Sequence, residues 1–213
     1  MPYEIAYFRA SVIENTKRKS DLFHNHKSDK EFIYRYPLIQ YKIKDRKPAI
    51  ICINAATDHI HYLLENREFH FDIKGKVEKY EIDELNLRYH RLQSWEATFL
   101  YNVHNYMPFN QENYAVYKKL GTEKRKLKFL EECLHSHLAI IVSELNADMP
   151  IELVSEIVQI KSEKYIEYKG VFHQTYSLNF KTNISLPNFI GIGKGVSLGF
   201  GIVKKLGNER RSN

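Results

Sequence analysis

Residues 191–201 read GIGKGVSLGFG and contain five of the nine glycines in the 213-residue chain. Glycine reaches backbone angles that other residues avoid, and it lets another part of the backbone approach closely. A loop of this kind can turn successive N–H groups toward an anion, and Lys194 would add a positive charge to that concavity. Apolar residues between the glycines would anchor the loop from below: Ile192, Val196, Leu198 and Phe200. The segment predicts a phosphate-binding loop, and a glycine-rich hairpin without a ligand is the alternative.

Two familiar nucleotide-binding motifs do not fit this segment. A dinucleotide-binding fold places GxGxxG between an early strand and a helix, with an acidic residue about twenty positions later. Here only twelve residues follow Gly201, and none of them signals a helix. A Walker loop requires a different spacing between its glycines and its lysine. The segment therefore predicts neither of these domains.

Positive charge is concentrated in two separate stretches. The formal net charge is +6; residues 15–50 contain ten Lys or Arg against four Asp or Glu, and residues 181–213 contain six against one. Fifteen tyrosines, some beside basic residues as in Tyr34-Arg35-Tyr36, offer surfaces on which bases can stack. The pattern favours a polyanion such as RNA as the ligand. Two solvated basic faces, or an aromatic strand with one buried face, would produce a similar sequence.

The hydrophobic pattern predicts two α+β halves that meet near residue 88, each with an antiparallel sheet covered by helices. Residues 3–13 are predicted to open the chain as a strand because aromatic and β-branched residues dominate them. Further strands are predicted at 32–43, 48–54, 68–73, 76–82, 91–104, 153–161, 164–168, 171–182 and 199–206, and helices at 57–66, 110–120 and 122–145. The last helix carries apolar residues at helical spacing: Leu127, Leu130, Leu134, Leu138 and Ile141.

The glycines have the spacing G-x-G, five residues, G-x-G, close to the C-terminus of a basic protein. This pattern resembles the C-terminal signature of the CRISPR-associated repeat-RNA endoribonucleases, the Cas6 family of the RAMP superfamily. Residues 32–42, FIYRYPLIQYK, are similar to a strand motif of that family. Residues 22–26, LFHNH, precede this motif as they do in the b branch. The resemblance covers both ends of the chain, while the middle, about 55–175, carries little signature.

The resemblance implies two ferredoxin-like (RRM-like) halves in tandem: residues 1–88 with the catalytic histidines and 89–213 with the glycine-rich loop. It implies cleavage of CRISPR repeat transcripts without a metal or another cofactor, leaving 5′-hydroxyl and 2′,3′-cyclic phosphate ends. The partners would be the repeat RNA and subunits of a CRISPR effector complex, and the protein would be a monomer or a homodimer. A catalytically silent RNA-binding RAMP subunit and a phosphate-ligand-binding protein are the alternatives.

Cutting RNA without a metal needs a base for the 2′-OH, a cation or donor for the phosphate, and an acid for the leaving 5′ oxygen. Histidine suits the base and acid roles because both of its forms are populated near neutral pH. By resemblance His24 and His26 fill these roles, in either order, and in an extended segment their side chains would point the same way. Tyr34 would donate to the phosphate and Lys17 would neutralise it, with Tyr36 and Lys19 as substitutes. The candidate RNA-binding residues are Lys30, Arg35, Tyr36, Gln40, Lys42, Gly191, Gly193, Lys194, Gly195, Ser197 and Gly199.

The His-x-His pattern occurs three times, so it is weak evidence on its own. His59 and His61, and likewise His135 and His137, lie in predicted helices, where a spacing of two puts side chains on different faces. Both pairs are expected to be structural or exposed. A zinc site would need further ligands, and neither a Cys pair nor HExxH is present. The sequence therefore predicts no metal site.

Cys52 and Cys133 are far apart and lie in apolar surroundings, which predicts buried free thiols in a reducing cytoplasm. No apolar run approaches the ~18 residues that span a bilayer, and no basic start leads into an apolar signal segment. We therefore expect a cytoplasmic protein that does not act at a membrane.

Overall fold

The computed structural model describes residues 2–16, 21–24, 26–28, 31–32, 36–65, 69–73, 75–168 and 170–207. The chain forms two units: Met1–Tyr89 with Val196–Gly199, and His90–Gly195 with Phe200–Asn213. Four residues of the glycine-rich segment thus belong to the first unit. Each unit combines helices with antiparallel strands, which confirms the predicted α+β class. None of the helices in the described ranges has both the length and the apolar character needed to cross a membrane.

The first unit opens with helix α1, Pro2–Asn15, where the sequence predicted a strand over 3–13. Proline is favoured at the first helical position because its φ suits the helix and its missing N–H has no partner there. Ile5, Phe8 and Val12 recur at helical spacing, and each is at most 6% exposed. The strand prediction is wrong because it weighed β-branched and aromatic content over this helical period.

Short elements build the remainder of the first unit. In chain order they are α2 (Asp21–His24), β1 (His26–Ser28), β2 (Glu31–Phe32), β3 (Ile39–Lys44), β4 (Lys47–Cys52), a 3-10 helix (Asn54–Ile60), α3 (His61–Leu64), β5 (Phe69–Ile73) and β6 (Lys76–Tyr80). The strands pair as antiparallel hairpins, β1 with β2, β3 with β4 and β5 with β6. Phe8 of α1 packs edge-on against Tyr41 of β3 and Phe71 of β5, so the helix covers both longer hairpins.

The second unit has one four-stranded sheet. In chain order its elements are β7 (Ser94–Tyr106), α4 (Gln111–Lys119), α5 (Glu123–Glu144), β8 (Ser155–Tyr168), β9 (Val171–Ile184) and β10 (Ile202–Leu206). The strands lie in the order β10-β7-β9-β8, and every neighbouring pair is antiparallel. This is the ferredoxin-like arrangement of strand, helix, two strands, connection and strand. The second connection, which is usually helical, contains the glycine-rich segment here.

Helices α4 and α5 match the predicted helices over 110–120 and 122–145, and each begins directly after a capping residue. The side chains of Asn110 and Thr122 accept hydrogen bonds from the backbone N–H of Asn113 and Arg125, three residues further on. Such caps satisfy N–H groups that have no partner within the helix. Four of the five apolar residues predicted on the inner face of α5 are buried: Leu130, Leu134, Leu138 and Ile141. The fifth, Leu127, is 39% exposed.

Both cysteines are free thiols. Cys133 on α5 is buried, as predicted, whereas Cys52 at the end of β4 is only half-buried. Burial raises the pKa of each thiol to about 11. Because the thiolate is the reactive form, both cysteines are protonated and weakly reactive at neutral pH.

The glycines of the second unit permit contacts that a side chain would block. Gly201 has a φ of +63°, and a Cβ there would overlap the carbonyl oxygen of Ile192. Gly193 has a φ of +93°, and its Cβ would lie 2.7 Å from the ring of Tyr106. Gly201 N–H donates to Asn105 O, which ties the start of β10 to the end of β7. These glycines are therefore required by packing as well as by backbone angle.

In the first unit, the turn Val196–Leu198 packs against β3 and α1. Lys42 of β3 donates from Nζ to the Val196 carbonyl oxygen at 3.4 Å. A Cβ at Gly199 would overlap Ile5 of α1 and lie 3.4 Å from the Tyr41 carbonyl oxygen. Lys42 is 1% exposed, and burial lowers the pKa of its ammonium group to about 7. A buried amine thus holds the turn in place.

Replacing Gly201 with alanine should destabilise the fold far more than the same change at Gly170. Gly170 also has a positive φ, +73°, but a Cβ there meets nothing within 4 Å. Gly170→Ala should cost about 1–2 kcal/mol from the backbone angle alone. Gly201→Ala should cost about 4 kcal/mol or more, because the overlap with Ile192 is added. Urea unfolding measures both, and equal losses would contradict the packing role of Gly201.

The buried amine of Lys42 should make stability rise with pH. Between pH 7 and 9 the unfolded chain keeps this lysine protonated, while the folded protein, with a pKa of about 7, releases the proton. The free energy of unfolding therefore increases with pH, by at most about 1.4 kcal/mol per pH unit from this group. Urea unfolding of Lys42→Met should lack this slope. If the wild-type and variant curves run parallel, Lys42 does not carry a lowered pKa.

Candidate functional site

Strand β3 contacts two of the segments that the sequence singled out, and both contacts lie within the first unit. The Tyr41 hydroxyl, fully buried, donates to the Phe23 carbonyl oxygen at 3.4 Å. Phe23 is itself 1% exposed and directly precedes His24. The next residue, Lys42, bonds to Val196 in the glycine-rich segment. Because successive side chains of a strand point to opposite faces, one strand can hold both segments.

The backbone at the two candidate catalytic histidines changes from helix to strand. His24 ends α2, and His26 begins β1, where it pairs with Phe32. An extended segment, in which the two side chains would point the same way, does not include both histidines, because residue 24 is helical. The side chains of both histidines lie outside the part of the chain that the structure describes. Their catalytic roles stay predictions.

Several other candidates also lie outside the described residues. They are Lys17, its substitute Lys19, the candidate phosphate donor Tyr34, and the candidate RNA-binding residues Lys30 and Arg35. Their predicted roles rest on the sequence alone.

Tyr36 and Gln40 form a buried pair. Gln40 donates from Nε2 to the Tyr36 hydroxyl at 2.9 Å and to the Pro37 carbonyl oxygen at 3.1 Å. Gln40 has no exposed surface and Tyr36 is 6% exposed. The sequence predicts RNA contacts for both of these residues and for the buried Lys42. In this structure their polar atoms instead satisfy one another or the neighbouring backbone, as buried polar groups require.

Five of the eleven residues in the glycine-rich segment use their backbone amides in hydrogen bonds to other backbone groups. Five N–H groups donate to backbone carbonyl oxygens: those of Ile192, Lys194, Gly199, Phe200 and Gly201. For these five residues, the expected row of outward-facing N–H groups is wrong, because the glycines serve close backbone approach instead. Gly191 and Gly199 are buried, and Gly193, Gly195 and Ser197 are half-buried. Lys194 is exposed, so its ammonium group is the part of the segment best placed to meet an anion.

A tyrosine–histidine pair lies beneath this segment in the second unit. The Tyr106 hydroxyl and His137 Nδ1 are 2.8 Å apart, and Lys194 N–H donates to the Met107 carbonyl oxygen at 2.9 Å. Burial, together with the charge of Lys194, lowers the pKa of His137 to about 4, so its ring is neutral near pH 7. His135 Nδ1 lies 3.1 Å from the Ser155 hydroxyl. His137 is half-buried against Tyr106 and His135 is exposed, in agreement with the prediction that this pair is structural or exposed.

The supporting roles of Tyr41 and Tyr106 are not predictable from the sequence. Tyr41 lies inside a recognised motif, but nothing in that motif indicates that its hydroxyl reaches a carbonyl eighteen residues away. Tyr106 and His137 are thirty-one residues apart and belong to no shared pattern. Only the packing of the folded chain brings these partners together.

The first unit also contains a cleft of about 320 Å³ beside Lys42. Its charged walls carry both signs: Lys42, Arg46, Lys76, Glu4 and Glu78. Lys76 forms an ion pair with Glu78, so part of the positive charge is neutralised within the cleft. Among the described residues, no group of three or more His, Cys, Asp or Glu side chains is arranged to hold a metal ion.

Comparison with solved structures shows the same fold. A crystal structure of Cas6b is 24% identical, with a TM-score of 0.81 over 96% of this chain and 91% of that chain. A structure of the CRISPR RNA processing endoribonuclease Cas6b is 22% identical, with a TM-score of 0.67 over 93% and 92% of the two chains. Csf5, a type IV Cas6 crRNA endonuclease, is 12% identical, with a TM-score of 0.60 over 93% of each chain. The tandem ferredoxin-like fold that the sequence implied is therefore confirmed.

Comparison at the level of sequence covers nearly the whole chain. An uncharacterized protein of Methanocaldococcus jannaschii, MJ0978, is 27% identical over 130 residues, which are 61% of this chain and 80% of that protein. The family model for the Cas6b N-terminal domain matches residues 1–92, and the model for the Cas6b C-terminal domain matches residues 93–206. The chain therefore belongs to the Cas6b family.

Proposed function

We propose that this protein is an endoribonuclease that cuts CRISPR repeat RNA without a metal ion, leaving 5′-hydroxyl and 2′,3′-cyclic phosphate ends. Membership of the Cas6b family supports the substrate and the reaction class. The observation that carries the proposal is the contact of β3 with both the residue before His24 and the glycine-rich segment. The two basic stretches of the sequence supply charge suited to an RNA backbone.

In the proposed reaction the 2′ oxygen attacks the adjacent phosphorus, and the bond from phosphorus to the 5′ oxygen breaks. One of His24 and His26 accepts the proton of the 2′-OH, and the other protonates the leaving 5′ oxygen. Lys17 and Tyr34 stabilise the negative charge that develops on the phosphate oxygens. No external water or oxidant is needed, because the nucleophile belongs to the RNA.

The described residues contribute to this proposal mainly by positioning. The Tyr41 hydroxyl fixes the carbonyl of Phe23 and so orients the end of α2, at which His24 lies. The exposed Lys194 and the half-buried Ser197 supply contacts to the RNA backbone. Rigid support of this kind matters because a misplacement of about 1 Å can lower a rate by about a hundredfold. Association with effector subunits, a cytoplasmic location and a monomeric or homodimeric state stay predictions.

Cleavage should persist in excess EDTA and should require the 2′-OH at the cut site. The test incubates the protein with a repeat RNA and with the same RNA carrying one 2′-deoxy nucleotide at the candidate junction. Gel analysis should show products from the first RNA only, with cyclic phosphate ends detected by mass spectrometry. Loss of cleavage in EDTA would refute metal independence. Binding of the RNA without cleavage would favour a silent RNA-binding subunit.

Replacing either His24 or His26 with alanine should slow cleavage strongly without weakening RNA binding. General acid–base groups contribute rate factors of about 10²–10⁴, so single-turnover rates should fall by that amount. His135→Ala is the matched control, because His135 is exposed on α5 and contacts Ser155. A His24 or His26 variant that binds and cuts like wild type would remove that residue from the mechanism, while RNA binding would still stand.

A further inference from the structure

The outer face of the second unit's sheet carries a row of polar side chains that crosses all four strands. Lys204 of β10 lies opposite Asn102 of β7, Asn102 lies opposite Asn179 of β9, and Asn179 lies opposite Gln159 of β8. Lys204 and Gln159 are exposed, and the two asparagines are half-buried. Neighbouring positions on one face of a sheet are close enough to interact across strands.

Hydrogen bonds join the three amides into a ladder. Asn102 donates from Nδ2 to Asn179 Oδ1 at 3.0 Å, and Asn179 donates from Nδ2 to Gln159 Oε1 at 3.4 Å. Among the described residues, Gln159 Nε2 has no acceptor and Asn102 Oδ1 has no donor. The ladder therefore presents a donor at one end and an acceptor at the other.

The fold does not need this row for its core. Tyr101, Val103, Leu178 and Phe180 point to the opposite face of the sheet, and each has no exposed surface. Because side chains alternate along a strand, the amides between them must face outward. Three linked amides spread over neighbouring strands are a specific arrangement for an outward face.

Positive charge and a second polar row border the ladder. His104, two residues beyond Asn102, places Nδ1 3.0 Å from the Ser177 hydroxyl. Burial lowers the pKa of His104, and the positive charges of Lys164 and Lys204 lower it further. On the side of the ladder away from His104, Lys181 of β9 lies opposite Glu156 of β8. The face thus combines neutral hydrogen-bonding groups with flanking cations.

We propose that this outer face binds a single-stranded segment of RNA and reads the edges of its bases through Asn102, Asn179 and Gln159. This inference rests on the proposed function, since it assigns a base-reading surface to the same substrate. Base edges need both a donor and an acceptor, and the ladder supplies Gln159 Nε2 as the donor and Asn102 Oδ1 as the acceptor, with Asn179 linking the two. Lys204 and Lys164 bind the flanking phosphates. A single strand suits this surface because its Watson–Crick edges are free, whereas in an A-form helix those edges are paired and the major-groove edges lie in a deep, narrow groove.

Sequencing of bound oligonucleotides from a random library tests this surface. The full-length protein is mixed with a library of 12-nucleotide 2′-fluoro RNAs, which lack the attacking 2′-OH and therefore stay intact. Wild type should prefer particular bases at two or more adjacent positions. Asn102→Leu and Asn179→Leu should reduce this discrimination by about fivefold or more, in line with the value of a single base contact. Asn113→Leu on α4 is the control, because it makes the same change at a half-buried site that is not part of the amide ladder.

Lys204→Ala provides the contrast between a phosphate contact and a base contact. It should weaken binding of all sequences alike and lower the slope of log affinity against log salt by about one, leaving base preference intact. Thermal unfolding of each variant accompanies the binding data, so that a folding defect is recognised separately. A merely structural ladder would change stability without changing base preference.

The outcomes separate this inference from the proposed function. If Asn102→Leu and Asn179→Leu are folded and select the same bases as wild type, the base-reading role is overturned while cleavage of repeat RNA is untouched. A wild-type protein that cuts repeat RNA but shows no base preference in the library would also overturn it. If wild type neither binds nor cuts RNA, the proposed function itself fails.

Discussion

The turn Val196–Leu198, held against β3 and α1, is the contact on which the candidate site depends. The ammonium group of Lys42 on β3 donates to the Val196 carbonyl oxygen in this turn. Because Gly199 has no Cβ, Ile5 of α1 can pack in the space that a side chain at residue 199 would occupy. These contacts join Val196–Gly199 to the first unit. The same strand, through Tyr41, fixes the backbone that leads to His24. Strand β3 thus contacts both the segment that leads to His24 and the turn Val196–Leu198.

The glycine-rich segment shows why composition alone can mislead about mechanism. Five of its N–H groups bond to backbone carbonyls, and Gly201 is required because the Ile192 carbonyl occupies the space of a Cβ. A segment packed in this way is rigid, and it can present Lys194 to an anion at a defined position. We infer that its contribution to RNA binding comes from a positioned side chain more than from an open ring of amides, since bonded N–H groups have little left to donate.

The sequence predicts those elements whose signals are local. Helix α5 follows from apolar residues at helical spacing, and the β3–β4 hairpin follows from two apolar runs around a polar turn. Helix α1 was missed because its residues favour a strand while their spacing favours a helix, and burial against β3 and β5 decides between them. The contact of Tyr41 with Phe23 and the amide ladder of Asn102 and Asn179 depend on tertiary pairing, so no local pattern could indicate them.

Burial of Lys42 lowers the stability of the folded protein, but its ammonium group positions the turn Val196–Leu198 through a hydrogen bond. Burying an ammonium group is unfavourable, and the lowered pKa of this lysine expresses that cost. An apolar side chain of similar length would fill the same space with a smaller loss of folding free energy, as replacements of buried charges in other proteins show. Such a residue could not donate to the Val196 carbonyl, which would then lose its side-chain partner. The lysine is therefore best understood as a positioning residue, whose value lies in the register of the turn against β3 rather than in the stability of the first unit.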